Sequence, residues 1–143
     1  MNTKTFLVDT SAWILSFKST GHEKLKALLQ EALDGDRVAT TPLIVLELLQ
    51  GCKAPHEFDA LRTRLSSLSQ VTLDQFPWER AYRLGFALKR EGVTVPTMDL
   101  LIAGLAIEHG HVLLHHDHHF RRIAEHSDLQ AIDFLNERQH AAT

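Results

Sequence analysis

The sequence predicts an α/β fold with a mostly parallel central sheet of about five strands flanked by helices. Short β-branched or aromatic runs (TFLVD, RVATT, VTLD, HVLLHH, LQAIDF) alternate with longer segments of helical periodicity. No two runs are joined by a two-residue hairpin signal. Strands separated by helices require crossovers, and crossovers make neighbouring strands parallel with helices covering both faces. The 143 residues, 44% of them hydrophobic, suit one domain with its own core and leave no room for a second, so residues 1–143 are read as one unit.

Residues 5 to 9 form the first strand, ending at Asp9, and Thr10 or Ser11 is placed to cap the helix SAWILSFK. Residues 22 to 34 carry Leu25, Leu28, Leu29, Ala32 and Leu33 at helical spacing, with Gly35 as a stop before the strand RVATT. Pro42 suits the first turn of a helix through LIVLELLQGC, ended by Gly51 and Pro55. A helix over residues 56 to 67 precedes the third strand, VTLD, and WERAYRLGFALKREG is a long helix stopped by Gly92. The helix MDLLIAGLAIEHG, the strand HVLLHH, the helix HHFRRIAEHS and a last strand at LQAIDF follow. From about residue 136 the segment NERQHAAT is expected to be a frayed tail.

The net charge of −3 supplies no overall basic field for nucleic acid, although a local patch remains compatible with it. The single cysteine, Cys52, excludes an internal disulfide and suits a reducing cytoplasm. Its helical, apolar surroundings favour an inert thiol over a nucleophile. The N-terminus has no signal-peptide pattern, and no apolar run reaches the roughly 18 residues a membrane span needs. A soluble, cytoplasmic protein with no membrane partner is expected.

Four acids stand at the edge of an apolar run or inside one. Asp9 closes FLVD, Glu47 interrupts LIVLELL, Asp99 opens DLLIAGLAI and Asp117 follows HVLLHH. Each has an ordinary explanation: Asp9 and Asp117 as helix caps, Asp99 as a first-turn acid favoured by the helix dipole. Glu47 is harder to explain so, because its helix is apolar around nearly the whole circumference. Burying unpaired carboxylates is costly, and a shared divalent cation compensates all four at once. Asp9 and Asp117 lie at strand carboxyl ends, and Glu47 and Asp99 in the first turns of helices that begin near the same edge, where open parallel sheets bind ligands. Oxygen donors without cysteine point to Mg²⁺ or Mn²⁺, and such a site suits phosphodiester hydrolysis.

At these residues the chain resembles the PIN-domain ribonucleases, most closely the VapC-type toxins of toxin–antitoxin pairs. The segments FLVDTSAWI, TPLIVLELLQG, MDLLIAGLAIEHGHVLLHHD and DHHF match that family's motifs in order over almost the entire chain. The resemblance implies that Asp9, Glu47, Asp99 and Asp117 are catalytic, metal-binding acids and that Ser11 supports Asp9. It further implies a Mg²⁺- or Mn²⁺-dependent endoribonuclease that stops translation by cutting a structured RNA of the tRNA or rRNA class. A cognate antitoxin that occupies the site and a homodimer are also implied. The family's last motif commonly reads Thr-x-Asp-x-Asp-Phe, whereas here His115 stands at the threonine and His119 at the second aspartate. The missing acid motivates an alternative, a PIN-like RNA-binding or assembly module that does not cut.

His115, His116, His118 and His119 around Asp117 also suggest Zn²⁺, yet alternate strand residues point to opposite faces and cannot all converge. Asp117-His118-His119 spells a short signature of DHH phosphoesterases, whose further upstream aspartate motifs are missing. Arg121 and Arg122 follow Asp117 closely enough to reach a bound RNA phosphate, although an ordinary solvated helix face is the simpler explanation of both. Trp13, Phe17, Leu48 and Leu49 are core candidates, some of which can line a partner groove.

Overall fold

A computed structural model describes residues 4–135; the expected tail from residue 136 lies outside the described residues. The order of elements is β1 (Phe6–Val8), α1 (Thr10–Ser16), α2 (Glu23–Asp34), β2 (Val38–Thr40), α3 (Pro42–Gln50) and α4 (Pro55–Ser66). Then come β3 (Ser69–Gln70), α5 (Trp78–Arg90), α6 (Thr97–His109), β4 (Val112–His115), α7 (His118–Glu125) and β5 (Ala131–Asp133). The five strands form one sheet in the order β3-β2-β1-β4-β5, and every pairing is parallel.

The central strand explains its own sequence. Phe6, Leu7 and Val8 are buried, and β1 pairs with β2 through Phe6 opposite Val38 and with β4 through Leu7 opposite Leu113. A parallel strand covered on both faces reads as an unbroken apolar run. Right-handed crossovers send α1 to α4 over one face and α5 to α7 over the other. The main helix packing agrees: α1 meets α2 and α3, and α3 meets α4, while α6 meets α5 and α7.

From β1 the chain steps to β2 on one side and later returns to place β4 on the other. The switch point between β1 and β4 opens the crevice where parallel sheets bind ligands. Asp9 follows β1 directly, its backbone N–H donating to the carbonyl of Leu114 in β4 (2.9 Å), and Asp117 follows two residues after β4.

The third strand departs from expectation. It lies at Ser69–Gln70 instead of residues 71 to 74, and Val71 adds one further ladder bond to the Thr40 carbonyl (2.8 Å). Beyond Val71 the Thr72 hydroxyl donates to Asp74 Oδ2 (3.2 Å) and accepts from the Asp74 N–H (3.4 Å). Such local bonds give the backbone an alternative to the ladder. The buried side chains of Val71 and Phe76 then pack into the core from irregular chain. Two other details differ. Asp9, rather than Thr10 or Ser11, caps α1, and the left-handed conformation after α2 falls on Asp36 (φ 54°) while Gly35 keeps a negative φ.

Candidate active site

Each acid is positioned by a local rule. Asp9 has extended backbone at the N-cap of α1, and its Oδ2 accepts from the Ser11 N–H (3.0 Å) and the Ser11 hydroxyl (2.6 Å). Ser11 Oγ in turn accepts from the His116 N–H (3.0 Å), so one hydroxyl ties the end of β1 to the end of β4. Glu47 lies in the second turn of α3, deeper than expected, where Oε1 accepts from the Thr10 hydroxyl at 3.0 Å. Asp99 is the third residue of α6, and Asp117 caps α7 by accepting from the His119 N–H at 2.8 Å. The ordinary capping roles of Asp9 and Asp117 therefore hold, and they also fix where the two carboxylates point.

The acids share one field. Asp9 is buried, and its carboxyl is pushed up chiefly by that burial and further by Glu47, with the Ser11 hydrogen bonds pulling it down. Burial also pushes Asp99 up, to about 6, with Asp117, Asp9 and Glu47 adding to the rise and His119 opposing it. Such crowding is what a bound cation relieves.

Asp99, Asp117 and His119 each offer one donor atom, all within 4.8 Å of one another. His119 Nδ1 is 3.2 Å from Asp99 Oδ2 and 3.3 Å from Asp117 Oδ1. Among the described residues no other group of three such donors is so close; Asp9 and Glu47 act on Asp99 from outside it. Two carboxylates and one imidazole, with a third and fourth acid beside them, fit a divalent cation that keeps several waters.

The four clustered histidines go separate ways. His115 is fully buried, and its Nδ1 accepts from the Asp117 N–H at 3.2 Å, which assigns the ring proton to Nε2. Burial pushes His115 down, keeping it neutral beneath the acids. His118 is largely exposed, His116 half-buried, and only His119 joins the acidic group.

Arg121 donates from Nε to Asp133 Oδ2. Burial raises Asp133, but the Arg121 hydrogen bond, the Leu135 N–H and the nearby charges outweigh it and hold that carboxyl below its ordinary range. The guanidinium expected at an RNA phosphate is thus committed to β5. Arg122 lies 3.7 Å from Glu125 and is about half exposed. Thr10, Asp133 and their bonds are the site features that sequence reasoning passed over.

A second opening lies away from the acids. A groove of about 940 Å³ is lined from α1 by Trp13 and Phe17, from α2 by Leu29 and Leu33, and from α4 by Leu61 and Leu65. Trp13 is buried with its Nε1 unpaired among the described residues, and Phe17 stacks beside it at 6.1 Å, half exposed. Leu48 is buried in the core, so of the four candidates Trp13 and Phe17 line this groove.

The fold and the acidic crevice define a class, and comparison with known proteins agrees: the model of the PIN domain matches residues 6–126, and the chain belongs to the PIN-domain family. Its relatives there are of the VapC type. Ribonuclease VapC11 of Mycobacterium tuberculosis is 34% identical over 133 residues, covering 90% of this chain and 98% of that protein. Among solved structures, VapBC of Salmonella typhimurium bound to DNA superposes with a TM-score of 0.74 at 22% identity, covering 92% of this chain and 99% of that one. VapBC2 of Rickettsia felis, bound to a DNA fragment from its promoter, gives 0.74 at 17% identity over 90% and 98%. The expected fold and family are both borne out.

Proposed function

We propose that the chain, read as one PIN domain, is a metal-dependent endoribonuclease and the toxin of a toxin–antitoxin pair, acting in the cytoplasm to inhibit translation. The relationship to ribonuclease VapC11 supports the activity, and the crowded Asp99 carboxyl is the observation that carries the metal. Among the described residues no helix is long and apolar enough to cross a membrane.

Asp99 and Asp117 would hold Mg²⁺ or Mn²⁺ together with Asp9, with Glu47 and His119 in support. A divalent ion bound there lowers the pKa of a water and neutralises charge on a phosphoryl group. The chain's own residues set the stage. Ser11 fixes the Asp9 carboxylate, Thr10 restrains Glu47, and the neutral His115 holds the backbone on which Asp117 turns. Arg122, half exposed on α7, is the better phosphate contact of the two arginines, since Arg121 is bonded to Asp133. The substrate is a structured RNA of the tRNA or rRNA class.

The antitoxin is assigned to the groove of Trp13 and Phe17. Helix α1 carries these aromatics and, at its start, Thr10 and Ser11 beside the acids, so a segment laid in the groove leads to the crevice. A homodimer completes the assembly.

Induced expression in a bacterial host tests the activity. Growth arrest accompanied by new, discrete RNA 5′ ends is expected, both absent with Glu47→Gln and both suppressed by co-expressed antitoxin. Arrest without new RNA ends, unchanged in Glu47→Gln, would favour the non-cleaving module that the replacement of an acid by His119 suggests.

A further inference from the structure

Helix α7 has only 8 residues, too few to hold a helix by its own hydrogen bonds, so its place is set by what it packs on. Phe120 and Ile123 are buried beneath it. Apolar contact is non-directional, however, and leaves a short helix free to turn about its axis. The directional anchor is charged: Arg121 donates from Nε to Asp133 Oδ2 in β5. Asp133 is held in turn, its Oδ1 accepting from the Leu135 N–H at 2.7 Å, so both of its oxygens are bonded. The Arg121 and Asp133 side chains are 39% and 25% exposed, and a pair so covered is screened much less than one on open surface.

This anchor lies on the path to an acid of the site. Arg121 stands about one turn beyond Asp117, whose carbonyl accepts from the Phe120 N–H (3.2 Å) and the Arg121 N–H (3.4 Å). On the other side His115 lies directly opposite Asp133 in the parallel ladder, and its Nδ1 accepts from the Asp117 N–H at 3.2 Å. The Phe134 N–H donates to the His115 carbonyl at 3.0 Å. Asp117 is therefore gripped at its carbonyl by the first turn of α7 and at its N–H by the end of β4, and β5 is bonded to both supports. The movement left open is rotation of α7, which would carry the His119 ring away from Asp99, now 3.2 Å distant, and turn the Asp117 carboxylate with it. The bond from Arg121 to Asp133 opposes that rotation. Octahedral Mg²⁺ takes its oxygens at about 2.0–2.1 Å and tolerates little displacement, so groups that only orient a ligand still govern how tightly the ion is held.

We propose that Arg121 and Asp133 are positioning residues for the metal-binding group: their bond locks α7 against rotation and so holds the Asp117 carboxylate and the His119 ring in place beside Asp99. Arg121 acts through the helix and not on an RNA phosphate. This deepens the metal-site reading above and rests on it.

Mn²⁺ is titrated into the full chain, purified free of antitoxin and treated with chelator, and the melting temperature is followed at each concentration. Asp133→Asn and Arg121→Met should each raise the half-saturating Mn²⁺ concentration about ten- to a hundredfold over wild type. Because the two residues make one contact, the double variant should be no worse than either single one, and Arg121→Lys should lie between wild type and Arg121→Met. If Asp133→Asn does not fold, Arg121→Met, which keeps the apolar stem, gives the same reading. A lower metal-free melting temperature with an unchanged half-saturating concentration means a merely structural pair and overturns the inference. Losses that add in the double variant overturn the shared contact. Binding of unfractionated tRNA in chelator should be equal in Asp133→Asn and Arg121→Met; weaker binding by Arg121→Met alone returns the guanidinium to an RNA phosphate and overturns the positioning role. If Mn²⁺ does not stabilise even wild type, the metal-site reading itself fails, whereas a stabilised wild type with unshifted variants overturns this inference alone.

Discussion

Asp99 is an acid held where its charge is unwelcome. Burial and three neighbouring carboxylates lift it to about 6, so the native metal-free protein keeps a proton that the unfolded chain releases near pH 4. The stability this proton contributes is complete below the ordinary carboxylate value and is lost as pH rises through about 6. Chelator-treated protein should therefore lose about 1–2 kcal/mol from this group between pH 4 and pH 7, less than the whole shift because solvent screens the half-buried carboxyl. Denaturant midpoints across that range should fall less steeply for Asp99→Asn; parallel slopes in the two proteins would mean that Asp99 is not the crowded group. His119 gives a second reading, since its Nδ1 sits 3.2 Å from Asp99 and 3.3 Å from Asp117. Nitrogen suits Mn²⁺ better than Mg²⁺, so cleavage should be faster in Mn²⁺, and His119→Asp should narrow the ratio by restoring a hard oxygen. An unchanged ratio on the same RNA would place His119 outside the metal shell. The cue that picked out the four acids, a carboxylate in an apolar run, was legible because desolvation demands a partner. The same cue fits Asp133 in AIDF, where the partner is the Arg121 guanidinium and not a cation. Pattern alone does not separate the two solutions, because the ion pair joins residues from α7 and β5.

Helix α6 presents Asp99 at its start, and its middle is set by one close approach. A Cβ on Gly104 would stand 2.7 Å from Phe76 Cζ and 3.0 Å from Cε1, and the Phe76 ring is held against Trp78 at 4.8 Å. Alanine normally improves a helix by roughly 1 kcal/mol over glycine, but overpacking a rigid ring costs about 1–3 kcal/mol. Gly104→Ala should therefore lower stability in urea denaturation, and Phe76→Leu introduced with it should return part of the loss. A gain in stability for Gly104→Ala alone would show that the ring moves aside. The apolar run of α6 was visible in the sequence, whereas the reason for its glycine was not, since the ring comes from a separate, irregular segment. The displaced third strand has a related cause: Thr72 and Asp74 satisfy backbone groups locally, and residues 71 to 74 leave the ladder after Val71.

Across the whole molecule, an all-parallel sheet with its switch point between β1 and β4 gathers at one edge groups that are more than a hundred residues apart, Asp9 and Asp117 among them. A cation that binds only the folded arrangement stabilises it, by roughly 2.7 kcal/mol at a hundredfold excess over Kd. Mn²⁺ should accordingly raise the melting temperature of wild type and leave Asp99→Asn nearly unmoved; equal rises in both would place the ion elsewhere. The parallel sheet of about five strands follows from the alternation of strands and helices, so this level was the most legible, whereas the strand order that sets the switch point was not. The groove was less so, because a half-exposed aromatic such as Phe17 and a core aromatic such as Trp13 have the same periodicity. The most direct test is cleavage of one structured RNA by wild type and by folded Asp99→Asn, side by side in Mn²⁺ and in chelator. Cleavage by wild type in Mn²⁺ that falls by more than about a hundredfold in chelator, and equally in the variant, is the expected result. Undiminished cutting by Asp99→Asn, or by wild type without metal, would contradict it.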